Sequence, residues 1–212
     1  MLIYESPELK IWQLPSGPFE TNCYLLASEK LAYVIDPAPD SAPRVLQIVE
    51  KEKLQLQGIL LTHSHWDHIS DVAALLKLYP QLFVAVHEAD RFNLQTPGAD
   101  GLPLMAYIEG VTPTKLLKDK DVLQLGNSSW EVIHTPGHST GSICFYNVKE
   151  GLLFSGDTLF QETYGNISFP TSEPKKMKSS LRKLSQLPAD TKVFPGHGQD
   201  TTIGTEKWLG TV

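Results

Sequence analysis

The chain has 212 residues, 41% hydrophobic and 20% charged, enough for one sizeable core, and is read as a single domain over residues 1–212. Eighteen Lys plus Arg against 24 Asp plus Glu give a formal charge of -6, the wrong sign for a surface that neutralises phosphates, so a nucleic-acid partner is disfavoured. With two cysteines, Cys23 and Cys144, the chain has too few for a disulfide scaffold or a cysteine-rich zinc module, and any metal must be held by His and carboxylates.

The N-terminus, MLIYESPELKIW, carries acidic residues and a proline where a secretory signal needs basic residues before an apolar run. No run approaches the roughly 20 apolar residues of a membrane span, so the expectation is a cytoplasmic protein without a membrane partner. Residues Leu9 to Leu14, Cys23 to Ala27 and Leu31 to Ile35 are apolar runs between turn signals and predict three antiparallel strands. From Ser41 to Lys53, Val45, Leu46, Ile48 and Val49 recur at helical spacing, with Asp40 or Ser41 as the cap. Gly58 to Thr62 predicts a buried strand, Asp71 to Tyr79 a helix stopped by Pro80, and Leu82 to Val86 another strand. Between Gln95 and Thr114 prolines and glycines break the pattern, which predicts a long loop or short helical turns over a site. Four further strands follow at Val122 to Leu125, Ser129 to His134, Gly141 to Asn147 and Gly151 to Ser155. A helix over Pro174 to Leu187 places Met177, Leu181 and Leu184 on one face and Lys175, Lys176 and Lys178 on a solvated one, and Lys192 to Pro195 is a last strand. Two β-rich halves, each with added helices, predict an α/β fold of four layers, αββα.

The sharpest chemical signal is THSHWDH, Thr62 to His68, directly after the strand ending at Leu61. His63 and His65 are two apart, so both rings face one side of an extended loop, while Asp67 and His68 project from the turn beyond. Three later positions repeat the pattern of a strand end beside glycine: His138 in TPGHSTGS, Asp157 in FSGDTLF and His197 in FPGHG. Taken singly each reads as a turn residue; their joint occurrence behind THSHWDH reads as a metal site. His87 and His134 read as structural, and Cys23 and Cys144 as small core hydrophobes.

In this order of motifs the chain resembles the metallo-β-lactamase superfamily over nearly its whole length. The resemblance implies that His63, His65 and His138 hold one metal, that Asp67, His68 and His197 hold a second, and that Asp157 bridges them. Two divalent ions are implied, zinc first, with iron or manganese also suited to nitrogen and oxygen ligands. Such a pair, on the order of 4 Å apart, shares a water whose pKa can fall from 15.7 to about 7, so a metal-bridging hydroxide is available at neutral pH. In that scheme Asp67 is the catalytic residue, orienting the nucleophile and shuttling its proton.

Within the superfamily, GPFETNCYLL, THSHWDH, TPGHSTGS, SGDTLF and PGHG resemble the glyoxalase II type of thioester hydrolase, which implies a small-molecule thioester such as a hydroxyacylglutathione. Two features depart from that pattern: the chain ends 15 residues after His197, so an appended glutathione-binding domain is not expected, and Gly165-Asn166 stands where relatives place a basic residue. Phe160, Tyr164, Trp66 and the Gln95 to Thr114 loop are candidates for an apolar wall, with Trp66 and Tyr164 read first as packing residues. A second reading is a persulfide dioxygenase with one iron on His63, His138 and Asp157. A nuclease of the same superfamily would need a basic surface, and a non-catalytic metal-binding protein would need closed coordination.

Overall fold

A computed structural model describes residues 1–212. Strands β1 (Leu2–Glu5), β2 (Lys10–Ser16), β3 (Thr21–Ser28) and β4 (Leu31–Ile35) pair antiparallel in chain order. Helix α1 (Ala42–Glu52) crosses to β5 (Gln55–Leu60), which lies parallel to β4. Helices α2 (Trp66–Ile69) and α3 (Val72–Leu78) lead to β6 (Phe83–His87), and α4 (Arg91–Gln95) precedes β7 (Lys115–Leu117), both strands continuing in parallel. The result is a seven-stranded sheet in the order β1 to β7.

The second half repeats the plan. Strands β8 (Val122–Leu125), β9 (Ser128–His134), β10 (Ile143–Asn147) and β11 (Leu152–Gly156) form an antiparallel meander. Helix α5 (Pro174–Leu184) then crosses to β12 (Lys192–Pro195), parallel to β11, and the two-residue β13 (Thr201–Thr202) closes a six-stranded sheet.

The alternation of side chains along each strand explains the layers. Residues of one parity, among them Tyr24, Ile35 and Leu60 from the first sheet and Trp130, Phe145, Phe154 and Phe194 from the second, are buried together between the sheets. Residues of the other parity meet helices: Val34, Ile59 and Val84 pack with Val45 and Val49 of α1 and Val72 and Leu75 of α3. On the opposite side Cys144, Leu153 and Val193 pack with Met177, Leu181 and Leu184 of α5. Each such side chain contributes roughly 1.5–3 kcal/mol on burial, so three stacked apolar interfaces bind the expected four layers. Both cysteines belong to these interfaces, and burial pushes the Cys23 thiol up to about 12 and that of Cys144 to about 11.

The differences from the sequence reading are short elements and caps. Strands β7 and β13 have three and two residues, too few for a period to show, and β1 is an edge strand with no buried residue. Ser41 occupies the N-cap position of α1 without a side-chain cap bond; the Ala42 N–H instead donates at 2.8 Å to Oδ2 of Asp71, the N-cap residue of α3. The residues read as a turn after His65 form α2, a single helical turn. No helix is long and apolar enough to cross a membrane.

His87 at the end of β6 and His134 at the end of β9 stack with ring centroids 4.0 Å apart and planes 13° from parallel, joining the two sheets. Burial, followed by the neighbouring His134, lowers His87 to about 4. A folded-state value below the unfolded one means that His87 contributes its stability fully above about pH 6.5 and loses it as pH falls toward 4. A His87→Phe variant keeps a stacking ring without the titration. Its melting temperature should therefore fall between pH 7 and pH 5 by roughly a few degrees less than that of the wild type, measured by thermal unfolding; equal falls would refute the assignment.

Candidate active site and metal centre

All seven residues expected to hold metal meet at one edge of the two sheets. His63, His65, Asp67 and His68 follow β5, with Asp67 and His68 on α2; His138 lies between β9 and β10, Asp157 follows β11 and His197 follows β12. Ring centroids are 4.7 Å apart for His63 and His65, 4.9 Å for His63 and His138, and 4.5 Å for His65 and His138. The ligand-type atoms of His63, His65 and His138 lie within 4.8 Å of one another, as do those of Asp67, His68 and His197. Asp157 spans the two groups: its Oδ2 is 3.3 Å from His138 Nε2 and 3.5 Å from His197 Nε2, and its Oδ1 is 3.4 Å from His68 Nε2.

The hydrogen bonds on the outer side of each ring assign the inner nitrogens. His138 Nδ1 lies 2.8 Å from the Asn166 carbonyl and His197 Nδ1 3.0 Å from that of Phe19; a carbonyl only accepts, so both Nδ1 atoms carry hydrogen. His68 Nδ1 donates to Asp36 Oδ2 at 2.9 Å. Thr62 Oγ1 donates to Asp36 Oδ2 at 2.6 Å, so at 3.1 Å it accepts from His63 Nδ1. The neutral forms of His63, His68, His138 and His197 thus turn Nε2 lone pairs inward. Two pairs of nitrogens come together: His65 Nδ1, which can donate its hydrogen to the His138 Nε2 lone pair, at 2.8 Å, and His68 Nε2 with His197 Nε2 at 3.4 Å. His63 Nε2, His65 Nε2 and Asp157 Oδ1 are buried without a hydrogen-bond partner. Converging lone pairs and orphaned buried acceptors fit divalent cations, and the absence of sulfur from the donor set suits borderline ions.

Electrostatics divides the two groups. Burial, then neighbouring imidazoles, pushes His63 well below its ordinary value, and burial with His138 pushes His65 to about 3. Burial acts the same way on His68 and His197, but carboxylates outweigh it: Asp67 and Asp157 raise His68 to about 9, and hydrogen bonds to Asp157 and Asp67 raise His197 to about 11. Burial would raise Asp67, yet His68 and His197 hold it at about 2; burial would raise Asp157 too, but His68, His138 and His197 hold it well below the carboxylate range. The carboxylate-rich half holds positive charge strongly, whether as protons or as a metal ion.

Several supporting residues escape sequence reasoning. Asp36, in the left-handed region at φ 49°, also accepts the Thr62 N–H at 2.8 Å; its only sequence signal is a strand ending in Asp-Pro. Thr21 Oγ1 donates to Asp67 Oδ2 at 2.7 Å. Asp90, fully buried, accepts from the Ser64 N–H at 2.8 Å, the Gly141 N–H at 2.8 Å and the Ser139 hydroxyl at 3.1 Å, and burial pushes its carboxyl up. Ser64 lies between His63 and His65, and Ser139 follows His138, so one carboxylate ties together two loops that belong to different sheets. Glycine is required at 196, where a Cβ would run into Asp157 Oδ1, and at 156, where φ is 49° and a Cβ would lie 2.5 Å from Thr62 Oγ1.

A cavity of about 480 Å³ opens over Asp67, His65, His138, Asp157 and His197, walled by Phe19, Trp66, Phe160 and Phe169 and roofed by Leu102, Pro103, Leu104 and Met105. The 95–114 segment therefore covers the site as expected. Trp66 both lines the cavity and packs in the core, whereas Tyr164 lies outside the lining and tilts against Trp208 at 6.0 Å.

Known proteins resemble this chain in sequence and in fold. Residues 16–197 match the Metallo-beta-lactamase superfamily model. A hydroxyacylglutathione hydrolase, GloC, of Haemophilus influenzae is 34% identical over 201 residues, covering 92% of this chain and 93% of its own. Among solved structures, the BLEG-1 B3 metallo-beta-lactamase superposes with a TM-score of 0.85 at 37% identity, covering 92% and 95% of the two chains. TTHA1623 in a di-iron-bound form gives 0.80 at 34%, covering 92% and 96%, and ETHE1 from Myxococcus xanthus gives 0.74 at 28%, covering 93% and 81%. The chain belongs to the metallo-beta-lactamase superfamily, with His/Asp clusters of the kind that bind divalent metals.

Asp90→Asn tests the tether between the loops. It places an amide where N–H donors converge, and should lower stability by roughly 1–3 kcal/mol in denaturant unfolding. Elemental analysis of the purified variant should also show less bound metal than wild type; unchanged metal content would show that the loops hold their places without it.

Proposed function

We propose that the chain is a metal-dependent thioester hydrolase working with two divalent cations, zinc first and iron or manganese also suited. His63, His65 and His138 would hold one and Asp67, His68 and His197 the other, with Asp157 between. The observation that carries this reading is Asp157, whose two oxygens reach toward both groups at 3.3 to 3.5 Å. When bound, such ions supply an acidified water and polarise a carbonyl.

The protein's own contribution is positional. Thr21 fixes the Asp67 carboxylate at the cavity floor, ionised at neutral pH, where it accepts a hydrogen bond from the attacking water and orients it. Water adds across the scissile C–S bond: its oxygen joins the acyl carbon, and its protons go to the carboxylate product and the departing thiolate. Phe19, Trp66, Phe160 and Phe169 keep bulk water from the reacting carbonyl. The name of the Haemophilus relative, a hydroxyacylglutathione hydrolase, supports a small-molecule thioester as the substrate.

Asp67→Asn should fold normally by circular dichroism and lose about 10²–10⁴-fold in kcat on a thioester panel. Metal quantification on the same preparations should find about two ions per wild-type chain. One iron per chain together with oxygen uptake would instead favour the mononuclear reading on His63, His138 and Asp157. Inactivity of wild type and variant alike on thioesters, lactones, lactams and phosphodiesters would favour a binding protein.

A further inference from the structure

The cavity contains more than the reaction centre needs, and its chemistry is uniform. No Lys or Arg lines it, and apart from the ligand imidazoles its only charged side chains are Asp67 and Asp157. Asn166 has its acceptors occupied, its carbonyl by His138 and its Oδ1 by the Ser168 N–H at 2.8 Å, which leaves its side-chain amide N–H groups as a neutral donor in the lining. The apolar surface lies at both ends of the row of imidazoles. At one end Phe169 stands edge-on to His65 and His138, 5.5 Å from each. Pro170 abuts Gly101, which brings the Leu102 to Met105 segment beside that ring. At the other end Phe19 packs on Trp66 at 5.4 Å, and Phe160 stands 6.0 Å from His197. A carbonyl seated over the imidazoles therefore has an apolar wall on its acyl side and another on its leaving-group side.

Resting on the hydrolase reading above, we infer that the site takes esters or thioesters that are uncharged and apolar on both sides of the scissile carbonyl, and that it discriminates against thiols carrying carboxylates, glutathione included. Away from the floor where the ions would sit, a carboxylate on either arm of the substrate would exchange water for walls with no Lys or Arg to pair it, and buried charge without a partner is costly. An alkyl chain gains from the same surface. Leu104 and Met105 are the residues that carry this specificity, because they sit at the mouth where a bulky leaving group or acyl chain must pass.

The test uses thioethers, which bind but are not hydrolysed. Calorimetry on the protein as purified should show S-hexyl-N-acetylcysteamine binding at least about tenfold tighter than S-hexylglutathione, and hexanoyl thioesters of the same two thiols should rank in the same order by kcat/KM. Met105 is 64% exposed, so Met105→Lys tests the same surface without disturbing the core, and it should narrow the gap by strengthening the glutathione thioether. Equal or tighter binding of S-hexylglutathione, or no binding of either thioether, would overturn the inference. Preferential binding of the neutral thioether without turnover of any thioester would uphold the inference about the cavity and defeat the hydrolase reading instead.

Discussion

Buried imidazole nitrogens that face one another with their lone pairs repel, and a cation or a shared hydrogen between them relieves the repulsion. Here five histidines and two aspartates converge on such a place, and hydrogen bonds on the outer side of the rings point the acceptors inward. The Asn166 and Phe19 carbonyls, Thr62 and Asp36 each fix a ring whose other nitrogen faces the centre. The outer partners therefore determine the tautomers as well as the positions, which makes them part of the site's chemistry. The same demand for positive charge explains the split between the groups: the His68 and His197 half, crowded by Asp67 and Asp157, draws protons strongly, while the His63 and His65 half stays neutral.

The fold meets that demand by bringing the ends of several strands to one edge. Ligands leave β5, β9, β11 and β12, strands of two sheets held together by the apolar layer of Tyr24, Trp130, Phe145, Phe154 and Phe194. A rigid interior fixes the sheets, and two buried carboxylates finish the alignment. Asp36 links Thr62 to His68 within one sheet, and Asp90 links the His63 loop to the His138 loop across both. Asp36 adopts a left-handed backbone to fill its role, and Gly156 and Gly196 leave space where a side chain would collide with Thr62 or Asp157.

Around this polar centre the lining changes character. The aromatic walls and the Leu102 to Met105 roof contribute no positive charge, whereas the floor carries the imidazoles and the two carboxylates. Reaction type and substrate choice thus reside in different parts of the molecule. On the reading proposed above, the first belongs to residues at strand ends, and the second to the aromatic walls together with the loop between α4 and β7, whose prolines and glycines exclude regular structure.

Much of this is legible in the residues themselves. Period-two and helical patterns locate most long strands and three helices, because a buried face imposes its period on the chain. THSHWDH, with later His and Asp beside glycine, marks the candidate ligands, since turns and caps do not require so many nitrogen and oxygen donors at successive strand ends. Only the tertiary structure decides the rest. Strands of two or three residues carry no period; the cap of α1 comes from Asp71, twenty-nine positions beyond Ala42; and Asp36, Asp90 and Thr21 look like ordinary loop or strand residues until folding sets them beside their partners. Local sequence determines which donors exist and which face of an element is buried. Which nitrogens meet, which carboxylate orients them and what lines the cavity depend on contacts between residues far apart in the chain, and those contacts exist only in the folded protein.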